Sequence, residues 1–498
     1  MVVRRKASDT AQPLMRFAGA VAVSIAMIAP TMAVALNGVG AAQTVGRAVP
    51  IAFLLATVGV GLVGYAFVAL SRLVHHAGSA YAFTGITLGP RAGFISGWAL
   101  LGAYLMYAAG VLGAFGFLIG RLVQQWGGET PWWAAALCAA VVSFLIVRRR
   151  VGHVARVLLG AEALSVGLII VLIGAVFVRL ATGTAPAGLS INAEPFSLPP
   201  HVSAHQVALA SVFGFLSFAG FEGAAALGEE TADPRRNIGR AIRWSVLIAG
   251  ALFVVAMTAQ ILGFGADEAG VAAFIRSGSP LNVLADRYLG SPMGDILIAG
   301  AVVSAFGCAS AMITAASRLL FAFCREGLGP APLARWSAGG VPGPALTATT
   351  AAACVAVGCY AAADVSGEDM YFALGAMGTL CLLVSYALVN AGALRWLWAG
   401  GPRTPRAALG VLPIAALCVV GFALLSSVWP VAGSPEFFVP CAAAAWLAFG
   451  LIAVVLRPGQ VTASGVRLLR RQQPIRAWQD TGGPTGQPPN RQGEGSEE

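Results

Sequence analysis

The chain has 498 residues, of which 58% are hydrophobic and 10% are charged, and its mean hydropathy is +0.79. Soluble domains carry about 25% charged residues, so this composition excludes a soluble globular protein and indicates helices that face lipid. The net charge of +10 lies in short clusters between apolar runs, which is typical of membrane orientation signals and not of a nucleic-acid partner.

The chain begins with a basic cluster, Arg4, Arg5 and Lys6, followed by a first apolar run. This order resembles a secretory signal peptide. The run at 17–36 is nevertheless about 20 residues long, which exceeds a signal core, and further runs follow it. We therefore expect 1–16 to be a cytoplasmic segment and the first run to be a membrane helix.

Twelve apolar runs are long enough to cross a bilayer, which takes about 20 helical residues with a rise of 1.5 Å each. They lie near 17–38, 48–70, 92–120, 131–147, 154–178, 205–227, 241–264, 294–323, 344–363, 370–394, 407–430 and 435–456. The predicted fold class is an all-α membrane protein with 12 transmembrane helices in one domain at 17–456. The polar segment 457–498 is predicted to be a disordered cytoplasmic tail, with a short lipid-surface helix at 468–471 as the alternative.

The basic residues predict the orientation of this domain. With a cytoplasmic N-terminus, 26 of the 31 Lys and Arg residues fall on the cytoplasmic side of the runs and five fall outside. Cytoplasmic loops carry such an excess, and a missed or invented run would erase it. We therefore expect a multi-pass protein of the cell membrane, in a bacterial plasma membrane, with both termini cytoplasmic and lipid as its surroundings. The oligomeric state is left open.

Runs 1 and 6 differ from the others because each is interrupted. Pro30 lies in the middle of run 1, where proline removes one backbone hydrogen bond and crowds the preceding turn. Carbonyl groups near Met27 should therefore be freed at membrane depth. Run 6 contains Gly214 and Gly220, which weaken its helix, and Glu222 follows them.

Non-helical backbone at membrane depth survives only where it lines a cavity or is buried in protein. Two interrupted helices five runs apart indicate an inverted-repeat transporter, in which half-helix N-termini bind an anionic group and freed carbonyls bind a cation. An amino acid zwitterion carries one of each, and both breaks should then face one shared pocket. The alternative is that the proline only kinks its helix and the glycines serve helix packing.

Several stretches together resemble the amino acid–polyamine–organocation superfamily. The most specific is Phe-Ala-Gly-Phe-Glu at 218–222, followed by Glu-Glu-Thr at 229–231, which is similar to the family's broken sixth helix and the loop after it. Further agreement lies at 77–81, 317–319, 325–330, Tyr386 and Asn390. The likeness covers about residues 12–456.

The resemblance implies a LeuT-like fold, a 5+5 inverted repeat plus two C-terminal helices. Repeat one would span about 17–180, repeat two about 205–395, and the extra helices about 407–456. It also implies a secondary active transporter, or permease, that moves amino acids or related small amines by alternating access and is driven by protons or by exchange.

By the same resemblance, substrate would bind where runs 1 and 6 unwind. The matching positions are Ile28, Ala29, Pro30 and Thr31, with Leu216, Phe218, Ala219 and Gly220. Backbone amides of the first group would hold a carboxylate, and carbonyls of both groups would hold an amino group. The chain departs from the family at Pro30, which has no amide. It also departs at Leu216, where many members have a gating aromatic that Phe215 or Phe218 would replace.

Only two acidic residues fall well inside the predicted runs, Glu162 and Glu222. A charged carboxylate at that depth costs about 2.5–3.5 kcal/mol on insertion scales, so each must be paired or protonated. Glu222 matches the family's acid after the sixth-helix break and is a candidate for proton coupling, unless it only hydrogen-bonds unwound backbone. Glu162 is the second candidate, with a helix-packing hydrogen bond as its alternative, and many proton-coupled relatives have a lysine at the matching position.

A sodium site between runs 1 and 8 would use the hydroxyls of Ser310 or Thr314 with run-1 carbonyls, because hard cations prefer oxygen ligands. Hydroxyls that bond back to their own helix are the alternative. The eight cysteines form no CxxC pair, so neither a disulfide framework nor another metal site is expected. The chain has no GxxxxGK[ST] motif, and no cofactor is predicted.

Two other classes of function compete with a permease. An intramembrane enzyme, such as an acyl or lipid-group transferase, would need clustered His, Asp or Cys at one membrane face, whereas the five histidines are spread over loops and helix ends. A non-transporting sensor would carry a soluble signalling domain, which the sequence does not suggest. We therefore predict a permease that is not an enzyme.

Overall fold

The computed structural model describes residues 17–72, 79–149, 152–223, 233–337, 340–399, 406–428, 438–464 and 467. This part of the chain forms 16 α-helices besides a short helical stretch at 458–464, and it contains no β-strand. In chain order they are α1 (Phe17–Ile28), α2 (Pro30–Val45), α3 (Val49–Ser71), α4 (Ala80–Thr87), α5 (Pro90–Gln125), α6 (Trp132–Arg149), α7 (Gly152–Ala181), α8 (Ala204–Ser217), α9 (Pro234–Phe264), α10 (Glu268–Arg276), α11 (Pro280–Tyr288), α12 (Met293–Arg325), α13 (Gly343–Ala362), α14 (Gly367–Trp398), α15 (Arg406–Val428) and α16 (Phe438–Leu456). The predicted all-α class is confirmed for these residues.

Ten candidate membrane spans meet the length and hydropathy of a bilayer crossing within the described ranges. The first, Gly19–Ser71, is 53 residues long and contains α1, α2 and α3, which correspond to predicted runs 1 and 2. Predicted run 6 corresponds to the shorter apolar helix α8. The chain is therefore a multi-pass membrane protein, as predicted, and the count of twelve crossings stays a prediction.

Helices α5, α12 and α14 form the centre of the molecule, with α14 and α12 both packed along α5. Small residues allow this approach. A Cβ on Gly113 would lie 2.8 Å from the carbonyl oxygen of Gly367, and a Cβ on Gly378 would lie 2.8 Å from the ring of Tyr107. Lipid is as apolar as the side chains, so close packing through small residues holds such helices together.

The last helix, α16, is fastened to α5 by two tryptophans. The rings of Trp98 and Trp446 stack with their centroids 4.5 Å apart and their planes inclined by 10°. Each indole N–H donates to the carbonyl oxygen of the other residue, at 2.8 and 3.0 Å. This reciprocal pair holds α16 at the periphery, where most of its residues are not buried.

Residues 458–464, at the start of the predicted tail, are helical, and disorder of the remaining tail stays a prediction. The side chain of Val461 is buried against Phe94 at the start of α5. The guanidinium of Arg467 donates to the carbonyl oxygen of Glu326, just beyond the end of α12. Buried apolar area and a satisfied carbonyl together offset the entropy lost by ordering this segment.

Some sequence-based predictions fall on residues outside the described ranges. They concern the N-terminal segment 1–16, residues 77–78 and 229–231 of the family resemblance, and the tail from 468 to 498 with its alternative surface helix.

Candidate functional site

The first membrane helix is interrupted at a single residue. α1 ends at Ile28 and α2 begins at Pro30, and Ala29 between them has left-handed backbone angles, φ 49° and ψ 60°. A non-glycine residue pays about 1–2 kcal/mol for this conformation, so surrounding contacts must hold it there. The break predicted at Pro30 is confirmed. It is short, since the N–H of Ala33 donates to the Ala29 carbonyl at 3.0 Å and helical bonding resumes at once.

Two side chains accept hydrogen bonds from the backbone amides at the start of α2. The N–H and the hydroxyl of Thr31 both donate to Oε1 of Glu162 on α7, at 3.1 and 3.0 Å. The N–H of Met32 donates to the hydroxyl oxygen of Ser304 on α12, at 3.3 Å. Glu162 and Ser304 therefore cap α2 from neighbouring helices, and the Glu162 carboxylate lies at the positive end of the α2 dipole.

The same arrangement leaves three carbonyl groups of α1, those of Ala26, Met27 and Ile28, without their helical partners. In an unbroken helix each would accept from the N–H four residues later. One of those later residues is a proline, which has no N–H, and the other two donate to the caps just described. The Met27 oxygen accepts instead from the thiol of Cys308, at 3.4 Å. The end of α1 therefore presents acceptor groups inside the membrane domain, as predicted for Met27.

The helix of run 6 is interrupted as well, and its break touches the first one. α8 ends at Ser217, and the backbone turns through 218–222 with Gly220 at φ 103°. A Cβ on Gly220 would lie 2.7 Å from Cβ of Met27 and 3.0 Å from its carbonyl carbon. Only glycine fits both this backbone conformation and this approach. The two breaks therefore lie against each other.

Glu222 ties the second break to two other helices. Its carboxylate is fully buried and accepts hydrogen bonds from the hydroxyls of Tyr104 on α5 and Tyr386 on α14, both at 3.0 Å. It also accepts from the N–H of Gly220, at 3.2 Å. These contacts fit the structural alternative for Glu222, which is to bond unwound backbone, and a part in proton coupling stays a prediction.

A small cavity lies beside the two breaks. Its walls are formed by Met27, Ile28, Met32, Ala33, Asn37, Tyr107, Val111, Leu216, Ala219, Cys308, Met312 and Tyr371. Most of these side chains are apolar, and none of them carries a charge. The free space is about that of one water molecule, so a larger occupant would require the wall side chains to move.

A chain of hydrogen bonds joins three helices on the α2 side of this cavity. The hydroxyl of Tyr371 on α14 donates to Oδ1 of Asn37 on α2, at 2.6 Å, and the Asn37 amide donates to Oγ of Ser217 on α8, also at 2.6 Å. Neither Asn37 nor Tyr371 is among the residues predicted from the sequence. The signal that could have found the first is a single amide inside an apolar run, because a polar group at that depth must find partners.

The structure divides the predicted substrate residues into two groups. Ile28, Leu216 and Ala219 line the cavity. Ala29, Pro30, Thr31, Phe218 and Gly220 form the buried backbone of the two breaks behind it. Their role in binding stays a prediction.

Neither Phe215 nor Phe218, the residues expected to replace the gating aromatic, lines the cavity in this conformation, and a gating role for either stays a prediction. The ring of Phe215 points at α3, where a Cβ on Gly59 would lie 2.6 Å from it. The ring of Phe218 packs edge-on against Phe253 of α9, with centroids 5.2 Å apart. Both rings are held by neighbouring helices, and Leu216 lines the cavity in their place.

The hydroxyls predicted as sodium ligands bond elsewhere. Oγ of Ser310 lies 2.8 Å from Oγ of Ser143 on α6, and the Thr314 hydroxyl donates to the Ser310 carbonyl at 2.7 Å. Back-bonding to the same helix was the alternative. The α12 side chains that reach the first break are Ser304 and Cys308. Within the described residues, no group of three or more His, Cys, Asp or Glu could hold a metal ion.

Known proteins resemble this chain in sequence over most of its length. The family profile described as amino acid permease matches residues 19–432. The branched-chain amino acid permease BcaP of Lactococcus lactis is 28% identical over 338 residues, which cover 64% of this chain and 70% of that protein. An uncharacterised transporter of Mycobacterium bovis is 29% identical over 396 residues, covering 78% of this chain and 80% of that protein. The low-affinity putrescine importer PlaP of Escherichia coli is 32% identical over 216 residues, covering 42% and 45%.

A solved structure shares the fold. It is a mutant of the manganese transporter of Eremococcus coleocola, with a TM-score of 0.54 at 11% identity, and the match covers 92% of this chain and 98% of that one. At this identity the likeness concerns the fold alone. The family profile, by contrast, spans both helix breaks and most of the membrane domain, so this chain belongs to the amino acid permease family of the amino acid–polyamine–organocation superfamily.

Proposed function

We propose that this protein is a secondary active transporter that moves amino acids or related small amines across the membrane by alternating access. The observation that carries the proposal is the contact between the two helix breaks, where Gly220 lies against Met27 beside one cavity. Half-helix ends at membrane depth are the groups with which transporters of this kind bind charged substrates. Two relatives, a branched-chain amino acid permease and a putrescine importer, support by their names a substrate that bears an amino group.

The fold we propose is the LeuT-like 5+5 inverted repeat with twelve crossings. Repeat one spans about 17–180 and repeat two about 205–395, and the extra helices lie at about 407–456. In support, the two interrupted helices, α1–α2 and α8, are those with which the proposed repeats begin. The helices assigned as extra, α15 and α16, contact the body chiefly through α14, α3 and α5.

We propose that both termini are cytoplasmic, in a bacterial plasma membrane, as the excess of basic residues suggests. In this orientation α2 runs outward from the break, so the bond between Tyr371 and Asn37 lies on the extracellular side of the cavity. Glu222 and Tyr386 then lie on the cytoplasmic side. A C-terminal tag that a protease removes only in inside-out vesicles would support this orientation, and removal only in right-side-out vesicles would reverse it.

Alternating access requires that one side of the cavity opens while the other stays closed. On one side Tyr371 bonds Asn37, and on the other side Tyr386 and Tyr104 bond Glu222. While the hydrogen bonds on both sides are formed, the cavity holds about one water molecule. Substrate therefore enters only after the hydrogen bonds on one side have broken.

Coupling is proposed to use a proton gradient or substrate exchange, with Glu222 and Glu162 as the candidate proton carriers. Each is buried and joins elements that would have to separate: Glu222 holds the second break to α5 and α14, and Glu162 holds α2 to α7. A carboxylate accepts stronger hydrogen bonds than a carboxylic acid. Protonation would therefore weaken these links and favour opening.

The test is uptake by the purified protein in proteoliposomes. A panel of labelled amino acids and small amines is offered under an imposed proton gradient, under a sodium gradient, and to vesicles preloaded with unlabelled substrate. Accumulation above that of protein-free liposomes supports the proposal, and accumulation only in preloaded vesicles assigns exchange. No accumulation of any panel member under any condition would contradict it.

A further inference from the structure

The end of α2 that would attract an anion is already occupied by a side chain of the protein. Both donors of Thr31 bond Glu162, and the N–H of Met32 bonds Ser304. Pro30 has no N–H, and the N–H of Ala29 completes the last turn of α1 by donating to Ile25. Every backbone amide from residue 29 to residue 32 is therefore accounted for.

A substrate carboxylate could bind at this helix end only by displacing Glu162. The displaced carboxylate would be left unpaired at membrane depth, where an uncompensated charge is strongly unfavourable. If Glu162 stayed nearby, two negative groups would share one helix end and repel each other. Glu162 is tied to α7 and is 6% exposed, so it has little room to withdraw into solvent.

The rest of the site has the opposite polarity. α1 and α8 both end at the breaks, so the negative ends of two helix dipoles point there. The carbonyls of Ala26, Met27 and Ile28 have lost their helical N–H partners, and Met27 and Ile28 line the cavity. The remaining walls are mostly apolar. Such a site accepts hydrogen bonds from an ammonium group and surrounds an apolar substituent.

We infer that the Glu162 side chain fills the anion-binding end of α2 in this permease, and that the site therefore selects small primary amines with an apolar body over amino acids that carry a free carboxylate. The inference rests on the proposed transport function and specifies the substrate class of the same site. A substrate carboxylate is excluded because Glu162 already fills the helix end that it would use.

Three ligands of one shape test this exclusion: 3-methylbutylamine, leucinamide and leucine. They share the isobutyl group and the amino group, and only leucine has a free carboxylate. Uptake of labelled 3-methylbutylamine into proteoliposomes, corrected with protein-free liposomes, is challenged with each unlabelled competitor. We expect leucinamide to compete at least about tenfold better than leucine, since leaving a buried charge unpaired outweighs one neutral hydrogen bond.

Two variants separate occupancy of the helix end from its charge. Glu162→Ala empties the end of α2, so leucine should become a competitor comparable to leucinamide. Glu162→Gln keeps an acceptor oxygen for the Thr31 donors but removes the charge, so leucine should compete better than with wild type and less well than with Glu162→Ala. Glu129→Ala, in the exposed loop before α6, is the matched control and should behave as wild type. Size-exclusion profiles and unfolding temperatures establish that each variant is folded.

The outcomes distinguish this inference from the proposed function. If wild-type protein takes up leucine as well as or better than the amine, the inference is overturned while transport stands. If no amine and no amino acid is taken up by protein that is folded and correctly inserted, the transport proposal itself fails. The comparison of ligands on wild-type protein already tests whether the site excludes a free carboxylate. The test therefore remains valid if a variant does not fold.

Discussion

Replacing Gly220 with alanine perturbs the contact on which the proposed site depends. The new Cβ would lie 2.7 Å from Cβ of Met27, which is about 1 Å inside the optimal carbon–carbon separation. A residue with a side chain also pays about 1–3 kcal/mol at this unusual φ. Overpacking a filled site costs about 1–3 kcal/mol more. The sum of about 2–6 kcal/mol is large beside the 5–15 kcal/mol that stabilises a typical protein.

We therefore expect Gly220→Ala to lower the unfolding temperature in detergent and to abolish uptake in proteoliposomes. The matched control is Gly358→Ala on α13, where an added Cβ meets no atom within 4 Å. Because alanine is favoured over glycine inside a helix by about 0.5–1 kcal/mol, this control should keep uptake and unfold no earlier than wild type. Wild-type uptake and stability in Gly220→Ala would mean that the breaks need not touch, and the reasoning would fail.

Three further predictions concern individual hydrogen bonds, two beside the cavity and one at the periphery. Glu222→Gln removes the titratable group but keeps an acceptor, so uptake should lose its dependence on an imposed proton gradient; an unchanged pH profile of uptake would remove Glu222 from coupling. Tyr371→Phe deletes a hydrogen bond worth about 1 kcal/mol, enough to shift a two-state gate about fivefold. Labelling of Cys308 by an impermeant maleimide added outside, with the other cysteines replaced, should rise accordingly, and an equal labelling rate would argue against an outer gate here. Trp446→Ala removes the ring stack and the hydrogen bond from the Trp446 indole to the Trp98 carbonyl, so the unfolding temperature should fall while uptake per folded protein is kept; lost uptake at an unchanged unfolding temperature would contradict this structural role.

Features that depend on local chemistry could be predicted from the sequence. An apolar run of about 20 residues can cross lipid only as a helix, because its backbone must be satisfied internally. A proline in such a run must interrupt it, and Pro30 does. The left-handed conformation of Ala29, by contrast, depends on contacts that are distant in the sequence. It persists because Glu162 and Ser304 accept hydrogen bonds from the amides of Thr31 and Met32 beside it. These partners lie 131 and 272 residues apart along the chain.

A simple geometric rule separates the hydroxyls predicted on α12 from the side chains that reach the first break. Each helical residue advances about 100° around the axis, so side chains four residues apart share a face. Ser304 and Cys308 satisfy this spacing and reach the first break. Ser310 lies about 240° from Ser304 by the same rule and meets α6 instead. A list of polar residues in the run cannot reveal which face meets α1, since that depends on how the helices are packed.

Helix α14 carries a hydrogen-bond donor for each side of the cavity. Tyr371 and Tyr386 lie 15 residues apart on it, or about 22 Å along its axis, and bond Asn37 and Glu222 respectively. A rigid helix that tilts about its middle keeps one of these bonds only by moving the other phenol away. Because a hydrogen bond weakens steeply beyond about 3.5 Å, a displacement of roughly 1 Å at one end is enough to break it. Tilting of α14 would then open one side while the other stays bonded, so the two openings exclude each other without any change inside the helix.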